Sequence, residues 1–393
     1  ELDPLEIRKR NAYQNGQLTP YGQEITQSQL NNIFTKLADK ANYALLRKEV
    51  AEFNKHNCRY KRGIGITPVK FGISFTTTLL NQGSALVWVY IDGSVSVSTG
   101  GVEMGQELST KVAIVVSRVL GIPVNKIRVE SSNSQRIGNA SPTAASTGSD
   151  INGNAARLAA EKIKDNLAHC AVRLIQQKYN QTIDIKDVVF KDNKVFGKDD
   201  PETCVSFEEL VRFAHSERVP LAAYGYYKTP GLWFDREKGL GHPFHYYVYG
   251  AGLAEVELDT LLGEHKVRKL IIVHENGNSL NEAIDRGQIE GAVLQGIGWC
   301  TMEDLKYDAK GVYLSANPST YKIPAIRDLP EKLVIEIIPS LTEEASVFGS
   351  KGIGEPPFIY GLSVFFALQS AFKEANPEKE LSFPATPESL IQR

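Results

Sequence analysis

Ala85-Leu86-Val87-Trp88-Val89-Tyr90-Ile91-Asp92-Gly93-Ser94-Val95-Ser96-Val97-Ser98-Thr99 reads as two strands joined by a tight turn. β-branched and aromatic residues fill 85–91 and 94–99, and an Asp-Gly pair between such runs supplies the backbone freedom a two-residue hairpin needs. A glycine-rich turn, Gly100-Gly101-Val102-Glu103-Met104-Gly105-Gln106-Glu107, follows at once. Beyond it the apolar spacing changes to helical over 109–120, with Ser109 as the expected cap and Gly121 and Pro123 as the stop. Strand, hairpin, glycine turn and helix in succession place an open sheet under a helix.

Working outward, 64–74 reads as a further strand, and 124–129 as another before a loop at 131–141 and a long helix ending near Tyr179. Residues 180 to about 247 look irregular, with short strands, two acidic turns and a Pro/Gly-rich piece around 230–243, as suits a hinge or insertion. A second hairpin, 246–258 with 266–273 around Gly263, precedes a helix at 280–299, short strands at 312–314 and 333–338, and an apolar helix at 358–372. Two sets of strands, each followed by helices, imply an α+β fold of two subdomains whose mixed and antiparallel sheets pack against helices. The divisions fall at 1–62, a helical lead-in that packs on another domain, 63–230 and 231–393.

Composition limits the function. With 393 residues, 44 basic and 46 acidic, the chain can bury a large core and carries no charge footprint for nucleic acid or an anionic membrane. Cys58, Cys170, Cys204 and Cys300 lie far apart, which argues against zinc, iron–sulfur or disulfide frameworks and for a reducing, cytoplasmic setting. No apolar run reaches the roughly 20 residues of a membrane span. The first residue is not Met, and the opening Glu1-Leu2-Asp3-Pro4 starts as if within a helix, so a piece of something longer is expected.

Several segments can carry chemistry. Gly352-Ile353-Gly354-Glu355-Pro356-Pro357 presents one carboxylate before two prolines that suit a helix start, so Glu355 is either a working base or a helix cap and dipole partner. The 100–107 turn either lets backbone N–H groups approach a ligand or is a plain tight connection; Gln106, with donor and acceptor, is its more specific clue. Ser141-Pro142-Thr143-Ala144-Ala145-Ser146-Thr147-Gly148-Ser149 either holds a phosphate at a helix N-terminus or is a hydroxyl-rich cap. Gln295, in an apolar helix, needs partners if buried, from a cofactor or from backbone carbonyls. His242-Pro243-Phe244-His245 lacks the helical spacing of a metal pair, His274-Glu275-Asn276 reads as structural, and no nucleophile-elbow, zinc-protease or phosphate-loop motif occurs.

These segments, with 70–76, 243–259, 291–296, 318–325 and 351–357, occur in an order that resembles the C-terminal half of the molybdopterin-binding region of the xanthine dehydrogenase and aldehyde oxidase family, over essentially the whole chain. Residues 71–76 and 141–146 are similar to the xanthine dehydrogenase branch, which favours a purine substrate. The resemblance implies a molybdenum hydroxylase with water as oxygen source, in which Glu355 takes a proton so that oxygen can attack an electron-poor ring carbon. It assigns Gln106, Thr143, Ala145, Ser146, Gln295 and Gly354 to the molybdenum-molybdopterin cofactor, and Phe75, Thr76 and Ala144 to the substrate. The resemblance also implies that the metal is held by the pterin and not by side chains. Iron–sulfur and FAD modules, the other half of the pterin site and a homodimeric assembly are expected outside these residues, in a cleft completed by an upstream domain. The alternatives are an aldehyde or N-heterocycle oxidase of the same family, or a cofactor-free assembly or binding module. Two departures from the family pattern are Glu107, where glycine is usual, and Gly148, where serine is frequent; neighbouring Thr147 could supply the missing hydroxyl.

Overall fold

A computed structural model describes residues 2–340 and 346–391. Its largest sheet has the strand order Tyr60–Ile73, Tyr246–Asp259, His265–Glu275, Leu333–Ile338. The first three strands are antiparallel and the last is parallel. Helices Leu30–Ala41 and Tyr43–His56 cover one face, where Ile33, Phe34 and Leu37 meet Tyr249, Leu253 and Ile271. Helices Glu282–Thr301 and Leu362–Ala375 cover the other, where Ile289, Val293, Val364 and Leu368 meet Val256, Leu270 and Ile272. Covering on both faces explains why 246–256 is buried throughout instead of alternating.

A second four-stranded sheet runs Ile127–Val129, Val95–Thr99, Gln82–Val89, Ala222–Lys228. Helices Leu108–Leu120 and Asn154–Tyr179 pack Val112, Val116, Ala155 and Ile163 against its Val87 and Val97. The opposite face shows Trp88, Tyr224 and Tyr226 to solvent. A three-stranded sheet, Val188–Lys191, Lys194–Gly197 and Asp200–Ser206, and the helix Phe207–Ser216 complete this half.

The α+β fold of mixed and antiparallel sheets packed with helices is what the sequence implies, with differences of detail. Tyr60–Ile73, placed by sequence with the 63–230 unit, pairs instead with Tyr246–Asp259 along its full length. Residues 180–247 hold the expected short strands but are more regular than expected: Ser206 accepts from Glu209 N and caps a helix there, and Ala222–Lys228 joins the sheet of the first hairpin. The expected strand at 312–314 reduces to a single bridge between Tyr307 and Tyr313. Following Pro356-Pro357, the chain makes one 3-10 segment, Pro356–Gly361, before the α-helix begins at Leu362. Among the described residues no helix is long and apolar enough to cross a membrane.

Candidate functional site

Glu355 sits at the end of a segment anchored by buried polar contacts. Lys351 Nζ lies 2.6 Å from Glu275 Oε1 and donates to the Tyr247 carbonyl at 2.9 Å, while its backbone N–H donates to Asn276 O. The next N–H, of Gly352, donates to the Tyr246 hydroxyl at 2.8 Å. A Cβ on Gly352 would lie 2.7 Å from Ser146 O and 2.9 Å from Ile73 Cδ1, so no side chain fits at this crossing. The chain then emerges, and Glu355, exposed, becomes the cap residue of the Pro356–Gly361 turn. That turn rests on the helix Glu282–Thr301 where a Cβ on Gly296 would lie 2.1 Å from Phe358 O.

Ser146 comes from the facing loop, whose Ala145 and Ser146 both hold left-handed backbone, with φ of 55° and 53°. Non-glycine residues pay for that conformation, which persists only where surrounding contacts fix it. Ser146 Oγ donates to Glu355 Oε2 at 2.9 Å and accepts from Glu355 N at 2.9 Å. This reciprocal pair fixes both the backbone and the carboxylate of Glu355, leaving Oε1 unused by Ser146. Thr147 is buried with its hydroxyl on Ala144 O, so it does not replace a hydroxyl at Gly148. Below the loop, a π-turn at Ser149–Gly153 opens the long helix, and buried Asp150 accepts from the Tyr246 hydroxyl at 2.7 Å. Burial pushes the Asp150 carboxyl up to about 7, against the pull of the Tyr246 and Ser346 hydroxyls and the Lys111 charge.

The glycine-rich turn forms the third wall. Thr143 Oγ1 accepts from Val102 N at 2.9 Å, tying the turn to the Ser146 loop. Ser109 does not cap the following helix. Glu107 is the cap residue, in left-handed conformation with φ of 60°. The Glu103 carboxylate accepts from the N–H groups of Gly105, Glu107 and Ser109 at 3.0, 2.9 and 2.9 Å. Burial works to raise its pKa, but these backbone donors prevail and hold it below the usual carboxylate value. Gln106 turns its amide inward, donating to Val102 O and accepting from Met104 N.

Between the three walls lies a cavity of about 340 Å³. Gln106, Thr143, Ala144, Ser146, Gly354 and Glu355, all singled out from sequence, line it. Ala145 does not line it, but its backbone turns Ser146 into place. Phe75 and Thr76, just past Ile73, do not line it either. Gln295 is exposed in a separate cavity of about 700 Å³ with Glu303 and Tyr321. From the same helix it is Gln288, about two turns earlier, that reaches the central cavity. Ser149, the last residue of the 141–149 segment, lines it too, as does Lys111, which sequence reasoning missed. The signal for Lys111 is a cation inside the apolar stripe of Leu108, Val112 and Val115; it is buried, with Nζ 2.6 Å from Asp285 Oδ1. Asp285 is held in turn by Asn276 Nδ2 at 3.0 Å and Ser279 Oγ at 2.6 Å.

Hydroxyls, carboxamides, a buried ammonium and a helix start thus face a cavity whose mouth carries one carboxylate. This donor set fits a flat, polar heterocycle bearing an anionic group. The family model described as molybdopterin cofactor-binding domain matches residues 36–330, and the chain belongs to that family. Its relatives include xanthine dehydrogenase/oxidase of Mus musculus, 39% identical over 398 residues that cover 99% of this chain and 28% of that protein. Xanthine dehydrogenase 1 of Arabidopsis thaliana is 40% identical over 400 residues, covering 98% of this chain and 27% of the relative. The chain therefore spans little more than a quarter of the length of these curated relatives. Among solved structures, quinoline 2-oxidoreductase from Pseudomonas putida 86 shares the fold with a TM-score of 0.85 at 24% identity, over 99% of this chain and 49% of that one. An aldehyde oxidoreductase from Desulfovibrio desulfuricans aligns with a TM-score of 0.76 at 25% identity, over 99% of this chain and 38% of that one.

Proposed function

We propose that this chain is the base-bearing part of the cofactor site of a xanthine dehydrogenase-like molybdenum hydroxylase. The enzyme hydroxylates a purine ring carbon with water as the oxygen source and passes electrons to iron–sulfur and flavin modules on other domains. The observation that carries the reading is Glu355, clamped by Ser146 at the mouth of a cavity whose walls mix apolar residues such as Met104, Leu108 and Ile353 with hydroxyl, amide and backbone groups. The molybdenum cofactor, when bound, supplies the two-electron oxidation. Ser149, Gln288 and Lys111, with the backbone of 352–354, line the cavity and would hold it. Thr143 braces the glycine-rich turn that forms the remaining wall.

Ser146 occupies Glu355 Oε2 and leaves Oε1 available, so that Oε1 would be the atom to receive a proton from the reacting oxygen. Ala144 on the cavity wall is the substrate-side contact; Phe75 and Thr76 take that role only with a further surface closing over them. The exposed Glu355 needs such a surface to exclude water, and an upstream portion of the same cofactor site provides it.

Changing Glu355→Gln in the complete assembly is expected to lower xanthine turnover by about 10²–10⁴-fold, the range of general-base contributions, with molybdenum content unchanged. Near-normal turnover would overturn the assignment. One observation favours a cofactor-free module instead: the Gln106 amide is already satisfied within its own turn. Molybdenum and pterin assays after co-expression with the upstream portion separate the two readings, and a panel of hypoxanthine, xanthine and an aromatic aldehyde separates purine from aldehyde chemistry.

A further inference from the structure

Ser146 and Asp150 stand four residues apart in the chain on one side of the cavity, and Glu355 and Gly352 stand three residues apart on the other. Two rungs join the sides. The outer rung is the reciprocal Ser146–Glu355 contact. The inner rung runs from Asp150 Oδ2 through the Tyr246 hydroxyl to Gly352 N, at 2.7 and 2.8 Å. Asp150 and Tyr246 are both buried, and neither lines the cavity.

We propose that Tyr246 and Asp150 are positioning residues for the carboxylate: the inner rung sets the separation of the two loops, and that separation lets Ser146 meet Glu355. The inference rests on the reading of Glu355 as the base. Tyr246 opens an inner strand of the large sheet and is paired there with Ile73, so its ring starts from a backbone fixed by the sheet. Its hydroxyl has one donor role and one principal acceptor role, and here each is used, by Asp150 and by Gly352 N. Without the hydroxyl, Gly352 N–H and Asp150 would both lose a buried partner and the loops would be free to part. The outer rung alone cannot replace it, because Ser146 is held in a left-handed conformation that depends on its surroundings.

The test uses three variants of the assembled enzyme and two readouts. Tyr246→Phe keeps the ring and removes the rung. It is expected to accelerate amide hydrogen exchange over 352–355 by at least about tenfold, the loss of one buried hydrogen bond, and to lower kcat by about ten- to a hundredfold with KM little changed. Asp150→Asn keeps an acceptor for the tyrosine hydroxyl and is expected to retain exchange protection and most turnover, whereas Asp150→Ala should behave as Tyr246→Phe. Wild-type exchange and kcat in Tyr246→Phe would overturn the proposal, as would an Asp150→Asn variant as impaired as Asp150→Ala. Glu355→Gln, run in parallel, separates the two ideas. If it stays active, the base assignment falls, and the exchange data still decide whether the rung holds the loop.

Discussion

At the residue scale, Glu107 and His274 show what individual positions cost. Glu107 caps its helix with φ of 60°, where a Cβ is unfavourable and glycine is free, and its carboxylate holds only the Thr110 hydroxyl, at 2.5 Å. Glu107→Gly is therefore expected to raise stability by about 0.5–1 kcal/mol, after the greater freedom of glycine in the unfolded chain is allowed for; denaturant unfolding checks it. His274 is fully buried, with Nδ1 2.7 Å from the Tyr360 hydroxyl. Burial, aided by the Lys351 charge, pushes its imidazole down to about 3. Because the folded pKa lies below the unfolded one, the unfolded chain takes up the proton first as pH falls below about 6.5. Stability from this group is complete above that pH and is lost toward pH 3, at roughly 1 kcal/mol per unit. His274→Leu should flatten the fall in unfolding free energy between pH 6.5 and 4 relative to the parent; an equal slope in both would show that the imidazole is not responsible.

Elements explain which parts of the site can be read from sequence. The first hairpin is legible because its information is local: Gly93 holds φ of 83°, and Asp92 Oδ1 accepts from Ser94 N at 2.9 Å. The Glu355 segment is legible for the same reason, since glycines and prolines announce its backbone. The partnership of Tyr60–Ile73 with Tyr246–Asp259 is not, because nothing in either strand names a partner so far along the chain. The place of Gln295 is not legible on similar grounds. Helical periodicity puts it and Gln288 on nearly the same face, and only the tertiary position of the cavity selects between them. Packing of the Glu282–Thr301 helix supplies a test at this scale. Gly296→Ala would push a methyl into the Phe358 carbonyl and shift the turn that carries Glu355. The expected cost is about 1–3 kcal/mol in stability, as for other overpacked sites, together with a fall in turnover of the assembled enzyme. A fully active variant with unchanged melting would show that the turn can retreat freely.

For the whole molecule, each of the two four-stranded sheets buries apolar residues against helices, and the cavity lies where segments from the two halves meet. The chain can thus fold around a site whose mouth stays open. On the proposed function, the purified chain alone is expected to retain no stoichiometric molybdenum and to oxidise no xanthine, and elemental analysis of the isolated polypeptide checks this directly. The same organisation explains why the segments around the cavity are more legible than the strand partnerships: the motifs that face the cavity are short and continuous, while the pairings that bring them together span the chain. The contact of Gly296 with the turn around Phe358 and Gly361 carries one more consequence. Main chain meets main chain there, with no intervening layer of side chains to hop between rotamers. Thermal blurring at that junction is confined to the small vibrations of two backbones, so the aim of the carboxylate inherits the stiffness of the helix beneath it.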